Sequence, residues 1–238
     1  MKFLITIVFI TSLIFATNIP NSFRDYKRYT LGNDMDMELF ISKNLIKSTK
    51  IVKIKGNAYK ESKTSLKLTL QGRDVEITFS RGDSDDFNFE FEFDDVDYNK
   101  NELLIVYGDK LFLSDRGFIY VEITANEYFT KYKKFKLVGN KVKEIKQAYY
   151  KVNMKCKTSA LTKFYSQKCK GGDIVATIPK NKMVTIILED TQNSCPNERN
   201  IKEYLVQTSF GLVGWVSSRG GYGQRVGNPL SCLMYNGD

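Results

Sequence analysis

Short stretches of alternating apolar and polar residues follow one another along most of the chain. In residues 87–93, for example, four phenylalanines alternate with Asn88, Glu90 and Glu92. A period of two is typical of a half-buried β-strand, whereas an amphipathic helix repeats every third or fourth residue. Strands are predicted on the same grounds at residues 39–41, 51–54, 66–70, 75–79, 87–93, 103–107, 110–113, 118–123, 133–138 and 141–145.

Glycine-containing pairs separate some of these strands. Gly108-Asp109 and Gly139-Asn140 each stand between two predicted strands, and glycine accepts the positive φ that a two-residue hairpin requires. Short strands joined by tight turns predict an all-β fold, with an antiparallel sandwich or meander over residues 37–147. Residues 17–36 are expected to form an irregular N-terminal arm, and residues 126–131 are a weak helical candidate.

The first 16 residues have the pattern of a secretory signal peptide. Lys2 precedes an apolar run that ends at the small residue Ala16. This run is shorter than the about 20 residues that a membrane-spanning helix needs. We therefore expect an exported protein, periplasmic or secreted, that is not an integral membrane protein after signal cleavage; an uncleaved N-terminal anchor is the alternative. The chain has no Asn-x-Ser/Thr acceptor, which favours a bacterial source.

All four cysteines lie in the last third of the chain. They are Cys156, Cys169, Cys195 and Cys232. An even number in one small module of an exported protein predicts two disulfides. A zinc site is the alternative, but the spacing contains no close pair of ligands. The residues alone leave three disulfide pairings open.

The region around the only tryptophan is more specific. Residues 204–216 predict two strands joined by a tight turn and contain Gly214-Trp215-Val216. Predicted strands at 161–165, 174–178 and 183–188 precede them, with a turn at 179–182. Together these segments resemble the bacterial SH3-type (Src-homology-3-like) domain family over residues 157–217, about a quarter of the chain. Lys163 and Phe164 depart from the family's common first strand, and the loop 191–200 is long.

The resemblance implies a small SH3-like β-barrel at residues 148–238 that binds a ligand and does not catalyse a reaction. It also implies the pairs Cys156–Cys232 and Cys169–Cys195. The aromatic residues expected in a ligand-binding groove are Tyr165, Tyr204, Phe210, Trp215 and Tyr222. For Tyr204 and Trp215, packing in the core is an equal alternative.

Histidine is absent from the chain. This excludes Ser-His and Cys-His nucleophile pairs and every other mechanism that needs an imidazole. We therefore predict a non-catalytic protein without a cofactor or a metal.

Charge is unevenly distributed along the chain, whose net charge is +9. Residues 131–170 have a net charge of +12 and residues 74–97 a net charge of −9. The lysines are predicted either to form an ordinary solvent-facing hairpin or to join in one basic surface that meets an anionic partner. The residues of that basic surface would be Lys133, Lys134, Lys136, Lys141, Lys143, Lys155, Lys157, Lys168 and Lys170.

The acidic residues allow several interpretations. The first is a solvated outer face over a phenylalanine core. A calcium site is a second, although the acidic loop lacks an EF-hand pattern. A pair of carboxylates for glycoside hydrolysis is a third, and the tripeptide Arg81-Gly82-Asp83 is treated as a chance match. The calcium alternative would involve Asp83, Asp85, Asp86, Asp94, Asp95 and Asp97.

Three functions follow from these patterns. The preferred hypothesis is an exported binding protein whose SH3-like module recognises a cell-envelope component, either a peptidoglycan peptide or an anionic polymer. The second is an envelope enzyme that uses carboxylates of the N-terminal domain, with the SH3-like module as a targeting arm. The third is an envelope adaptor or inhibitor. Export makes nucleic acid an unexpected partner.

Overall fold

The computed structural model describes residues 21–30, 38–48, 52–55, 64–81, 87–96, 104–124, 127–139, 141–192, 195, 201–219 and 228–233. These residues form three β-sheets, one short α-helix and a 3-10 turn, which confirms the predicted all-β fold. The predicted signal peptide lies outside the described residues. So do four of the aspartates named for a calcium site, Asp83, Asp85, Asp86 and Asp97.

The described residues before position 148 contain eleven strands. After a 3-10 turn (Asn21–Phe23) they are β1 (Tyr26–Thr30), β2 (Glu38–Ser42), β3 (Val52–Lys55), β4 (Thr64–Leu70), β5 (Arg73–Arg81), β6 (Phe87–Phe93), β7 (Leu104–Tyr107), β8 (Lys110–Leu113), β9 (Phe118–Ile123), β10 (Lys131–Val138) and β11 (Lys141–Glu144). The helix α1 (Lys43–Ser48) follows β2 directly.

The first sheet has the strand order β1-β2-β8-β9-β10-β11. Its strand β1 lies within the segment that was expected to be an irregular arm, and it pairs with β2 from Tyr26 opposite Ser42 to Thr30 opposite Glu38. The pair β2–β8 is parallel, so this region is not the purely antiparallel domain that was predicted. Parallel neighbours require a long crossover, and the chain builds the second sheet between them.

The second sheet is an antiparallel meander in the order β3-β4-β5-β6-β7. The predicted hairpin at Gly108-Asp109 is wrong, because β7 and β8 belong to different sheets. Gly108 instead lets the chain cross close to β9, since a Cβ there would lie 2.1 Å from Val121 Cγ1. The hairpin at Gly139 is formed as predicted, with φ +58°.

Alternation along the strands produces one large apolar cluster with residues from both sheets. Phe89, Phe91 and Phe93 of β6 are buried in it with Leu39 and Ile41 of β2. Burial of each such side chain contributes about 1.5–3 kcal/mol. The alternating apolar side chains that predicted the strands therefore also hold the first sheet against the second.

The opposite face of the first sheet is also covered. Phe40 and Phe112 stack with ring centroids 4.7 Å apart, and Phe23 from the 3-10 turn stacks on Phe112 at 4.3 Å. Because Phe40 alternates with Leu39 and Ile41, strand β2 is buried on both sides.

The remaining strands form the third sheet. They are β12 (Tyr149–Lys157), β13 (Thr162–Gln167), β14 (Gly171–Ile178), β15 (Met183–Asp190), β16 (Ile201–Thr208) and β17 (Val213–Arg219). The strand order is β12-β15-β16-β17-β13-β14, and each pair of neighbouring strands is antiparallel. Strands β13 to β17 lie where the sequence predicted strands, whereas β12 was not predicted. The described strands do not close a barrel.

The segment before β10 packs on this third sheet. Tyr128 and Phe129 are buried in one cluster with Phe164, Tyr204 and Val216. This packing explains why the predicted helix at residues 126–131 does not form in its described part: the aromatic rings face the sheet, and residue 131 already begins a strand. The two regions are thus in direct contact.

A buried ion-pair network lies beside these rings. Lys131 Nζ, whose side chain is 4 % exposed, lies 2.9 Å from Glu189 Oε1 and 2.7 Å from Glu127 Oε2. Tyr204 donates a hydrogen bond of 2.9 Å to Glu189 Oε2. Burial alone would lower the pKa of Lys131, but the two carboxylates raise it above its ordinary value. Burial and Glu189 raise the pKa of Tyr204 well above its ordinary value, so the hydroxyl stays a donor.

Both disulfides of the C-terminal region are formed. Cys156 is bonded to Cys232 and Cys169 to Cys195, each with Cα atoms 5.3 Å apart. This is the pairing that the family resemblance implies. The first bond ties the C-terminal segment to β12, where Leu230 also bridges to Thr158. Within the described residues, no helix is both long and apolar enough to span a membrane.

We expect Lys131→Met to destabilise the protein by up to about 3–5 kcal/mol, because it leaves the buried Glu189 carboxylate with the more distant Lys202, at 3.8 Å, as its cation. The double variant Lys131→Met/Glu189→Gln should cost less than the sum of the single changes, since the two opposite charges of this pair are then removed together. Urea denaturation of the four proteins measures the coupling, with Lys133→Met as the matched control. Strictly additive free energies would contradict the buried pair.

The two disulfides should contribute differently to stability. Their bonded cysteines are 76 and 26 positions apart, and loop-closure entropy gives about 4.5 kcal/mol for the longer loop and about 3.5 kcal/mol for the shorter one. Denaturant midpoints of Cys156→Ser/Cys232→Ser and Cys169→Ser/Cys195→Ser compare them. A larger loss from the second pair would show that native contacts outweigh chain entropy here.

Candidate ligand-binding face

One face of the third sheet carries a row of apolar side chains that crosses its strands. Tyr165 lies opposite both Ile174 and Trp215, Trp215 lies opposite Leu205, and Leu205 lies opposite Leu188. Opposite residues of a ladder point to the same face, so these side chains form one row. We call this row together with Tyr149 the aromatic face: Tyr149, Tyr165, Ile174, Leu188, Leu205 and Trp215.

The other face of the same strands is the buried core. Phe164, Tyr204 and Val216 directly neighbour residues of the aromatic face in the sequence and are almost completely buried. The alternation in β13, β16 and β17 therefore separates an inner face from an outer one. The outer one remains partly accessible, since every residue of the aromatic face is half-buried or exposed.

Gly214 brings β17 close to β13. A Cβ on Gly214 would lie 2.9 Å from Phe164 Cβ and 3.0 Å from the Tyr165 carbonyl oxygen. A larger residue would push the strands apart, and Trp215 would then lose its place beside Tyr165. The Gly-Trp pair noticed in the sequence thus has a packing reason.

Lys168 reaches over the aromatic face from the turn between β13 and β14. Its Nζ lies 5.3 Å from the Tyr149 ring centroid and 5.1 Å from that of Trp215. The same Nζ lies 2.7 Å from Asp190 Oδ2, a carboxylate whose side chain is almost completely buried. Lys168 therefore holds two rings by cation–π contacts, while its charge is balanced by Asp190.

The turn that carries Lys168 is anchored. Cys169 and Lys170 both have positive φ, +59° and +56°. The disulfide from Cys169 to Cys195 links the turn to the segment after β15. Ser166 Oγ accepts a hydrogen bond from the Asp173 amide, so both ends of the turn are fixed.

The aromatic face remains open to solvent at its edges. Ile174 is 50 % exposed and Tyr149 42 % exposed. Contiguous apolar surface of this kind marks interaction sites in soluble proteins. Tyrosine and tryptophan offer a large contact area together with a polar edge.

The residues predicted for the ligand-binding groove lie in different parts of the structure. Tyr165 and Trp215 lie side by side on the aromatic face. Tyr204 does not line it: only 1 % exposed, it is a core residue, because its side chain alternates with that of the outward-facing Leu205. Phe210, 87 % exposed, lies on the β16–β17 turn, and Tyr222 lies outside the described residues.

Two residues of the candidate site were not anticipated from the sequence. Tyr149 was missed because it lies at the blurred domain boundary, where Tyr149 and Tyr150 are equally aromatic; only the strand pairing shows which points outward. Asp190 was missed because no pattern in the sequence connects it to Lys168, 22 positions earlier in the chain.

A polar cavity of about 770 Å³ lies next to the buried ion pairs of Lys131 with Glu127 and Glu189. It is lined by Lys131, Lys133, Glu144, Glu189 and Lys202, among others. Burial lowers the pKa of Lys202, although Glu189 opposes this. Burial and the neighbouring Glu144 raise the pKa of Tyr150 to about 12. Charges of both signs balance here. Because the lining residues come from both regions, the cavity lies where the two regions meet.

The lysines named for one basic surface lie on several elements. The face of the β10–β11 hairpin that points away from the large core carries Lys134, Lys136, Lys141 and Lys143, with Lys136 directly opposite Lys143. Lys133 points to the other side and lines the cavity. Lys155 and Lys157 are exposed on β12, Lys170 is exposed on the turn, and Lys168 is paired with Asp190.

Three described acidic residues of β5 and of the turn after β6 take part in ion pairs at the surface. Arg73 contacts Asp95 at 2.6 Å, and Lys67 lies 3.4 Å from Glu76 and 3.8 Å from Asp94. The Arg73 guanidinium lowers the pKa of Asp95. These contacts agree with a solvated outer face over the phenylalanine core.

Comparison with protein-family models, with curated proteins and with solved structures finds no match to this chain. Inference about its function therefore depends on the residues of the aromatic face and their surroundings.

The only tryptophan makes the aromatic face directly observable. We expect Lys168→Met to shift the Trp215 emission to longer wavelength and to increase acrylamide quenching, because the lysine no longer covers the ring. Lys170→Met, on the same turn but exposed, is the matched control and should leave the emission unchanged. Identical spectra for the Lys168 variant and the parent protein would contradict the position of Lys168.

Proposed function

We propose that this chain is an exported, non-catalytic binding protein whose C-terminal region, an SH3-like module, recognises a cell-envelope polymer with its aromatic face. The ligand class is peptidoglycan, with its peptides, together with any anionic polymer attached to it. The N-terminal sheets serve as the support on which this module is mounted.

The observation that carries the proposal is the continuous, partly exposed row formed by Ile174, Tyr165, Trp215 and Leu205. Its one overhanging cation, Lys168, is balanced by Asp190. A neutral surface of aromatic rings with hydroxyl and indole edges suits the flat faces of sugar rings and short peptides.

The two disulfides support export. Disulfides persist in oxidising compartments and are rare in the cytosol, and the described cysteines are all paired. The predicted signal peptide agrees with such a location. A cell-envelope polymer is then the ligand that the protein meets after export.

The basic hairpin adds a second, electrostatic contribution. Lys136 and Lys143 are exposed and directly opposite each other. Exposed positive charges attract polyanions, and salt at about 0.1 M screens this attraction at distances beyond about 10 Å. Binding through the hairpin should therefore be salt-sensitive, whereas binding through the aromatic face should not.

Co-sedimentation with purified peptidoglycan, before and after removal of attached anionic polymers, tests the proposal. We expect Trp215→Ala and Tyr149→Ala each to weaken binding at least tenfold at both low and high salt, because burial of the ring against the ligand, worth about 1.5–3 kcal/mol, is lost. Phe164→Leu, a conservative core change behind the same strands, is the control for an altered fold.

The hairpin is tested separately. Lys136→Gln/Lys143→Gln should weaken binding only at low salt and only to peptidoglycan that retains its anionic polymers. Lys180→Gln/Lys182→Gln removes the same charge from the β14–β15 turn and should have a smaller effect. Wild-type protein that does not sediment with either preparation at any salt concentration would refute the proposed function.

A further inference from the structure

The carboxylate of Glu203 lies in a position that packing alone does not explain. Glu203 of β16 is 2 % exposed, and its Oε1 lies 3.4 Å from Cys195 Sγ. A disulfide sulfur carries no proton, so it cannot donate a hydrogen bond to this oxygen. The other oxygen, Oε2, is buried and has no hydrogen-bond partner among the described residues. Buried polar atoms without a partner are rare and costly.

Two sulfur atoms complete a compact group around this carboxylate. Cys169 Sγ, Cys195 Sγ and a carboxylate oxygen of Glu203 all lie within 4.8 Å of one another. A tetrahedral zinc ion has Zn–S distances of about 2.3 Å and Zn–O distances of about 2.1 Å, which places neighbouring ligand atoms roughly 3.5 Å apart. Small movements would therefore bring all three groups to ligand positions.

We propose that Cys169, Cys195 and Glu203 bind one Zn²⁺ when the disulfide between the two cysteines is reduced. A dithiol supplies two electrons and two protons: the bond between the cysteine sulfurs breaks, two thiols form, and the dithiol closes into its own disulfide. Zn²⁺ then displaces the two thiol protons. Glu203 is the third ligand, and the fourth position is left for water.

Of the two disulfides, this one is the more open to attack by a thiol. Cys169 and Cys195 are both half-buried, whereas in the other pair Cys232 is half-buried but Cys156 is 2 % exposed and belongs to the core. Thiol–disulfide exchange requires access to a sulfur atom. A thiol can therefore approach either cysteine of Cys169–Cys195, but only Cys232 of the other disulfide.

The surrounding structure keeps the three ligands near one another without the sulfur–sulfur bond. Glu203 is fixed in the sheet opposite Ser217. The turn that carries Cys169 is held independently by the contact of Lys168 with Asp190. A metal ion would then replace the disulfide as the link between this turn and the segment of Cys195. This inference does not depend on the proposed ligand.

Cobalt titration tests the site, because Co²⁺ bound by thiolates absorbs in the near ultraviolet and tetrahedral Co²⁺ absorbs in the visible. The full chain is reduced with a phosphine, and alkylation with peptide mapping identifies the opened disulfide. We expect both bands with one Co²⁺ per chain, displacement by Zn²⁺, and no bands in the oxidised protein. Circular dichroism confirms that the reduced protein keeps its strands.

Variants assign the ligands. Glu203→Gln should weaken Co²⁺ binding at least tenfold, Cys169→Ser/Cys195→Ser should abolish the near-ultraviolet band, and Glu76→Gln on another sheet should change neither. The proposal is overturned if the reduced protein binds no Co²⁺, if the Glu203 variant binds as tightly as the parent, or if the double serine variant keeps the band. Loss of the strands on reduction in the presence of Zn²⁺ overturns it equally.

Discussion

One extra residue in β15 determines what both faces of the C-terminal sheet present. Ile186 pairs with Val206, but the next pair is Leu188 with Leu205, so Ile187 is bulged out of the ladder. A bulge shifts the alternation of side chains by one position. Leu188 therefore joins the aromatic face, and Glu189 turns to the buried side, where it accepts hydrogen bonds from Tyr204 and Lys131. Regular pairing would instead bury Leu188 and expose Glu189.

The neighbouring strand adjusts to this shift. The ladder between β12 and β15 is also irregular, between Lys151 and Met154, and Asn153 there has φ +52°. The adjustment places Tyr150 opposite Glu189 and Tyr149 opposite Asp190. Consequently Glu189, which belongs to the inner network, and Asp190, which contacts Lys168 on the outer face, are adjacent residues of β15. Their partners Tyr150 and Tyr149 are adjacent residues of β12. A change in either bulge would disturb the core and the aromatic face together.

Local pattern predicted the strands well and their assembly poorly. The phenylalanine alternation of β6 and the hairpin at Gly139 depend on neighbouring residues, and both were found as expected. The parallel pair β2–β8 and the crossing at Gly108 depend on contacts between distant segments, which periodicity does not contain. Tyr204 was misplaced for a related reason: aromatic residues occur on both faces of this sheet, and only the pairing shows that Tyr204 points inward and Trp215 outward. The disulfide pairing was found as the family resemblance implied, although Cys232 lies in the segment after the last strand and β12 pairs with β15.

Charge is arranged differently on the two candidate surfaces. On the aromatic face the cation Lys168 is balanced by Asp190, so the proposed recognition there would depend on contact area and shape, with the turn already ordered by its disulfide. That prior ordering reduces the entropy lost on binding.

On the hairpin, Lys136 and Lys143 lie directly opposite each other, and like charges in this position destabilise a sheet. Neither lysine has an ion-pair partner in the part of the chain that the structure describes. A bound polyanion would lower this repulsion, whereas the aromatic face, in the proposed function, would select its ligand by fit. The hairpin would thus govern the rate and salt dependence of encounter, and the aromatic face the choice of ligand.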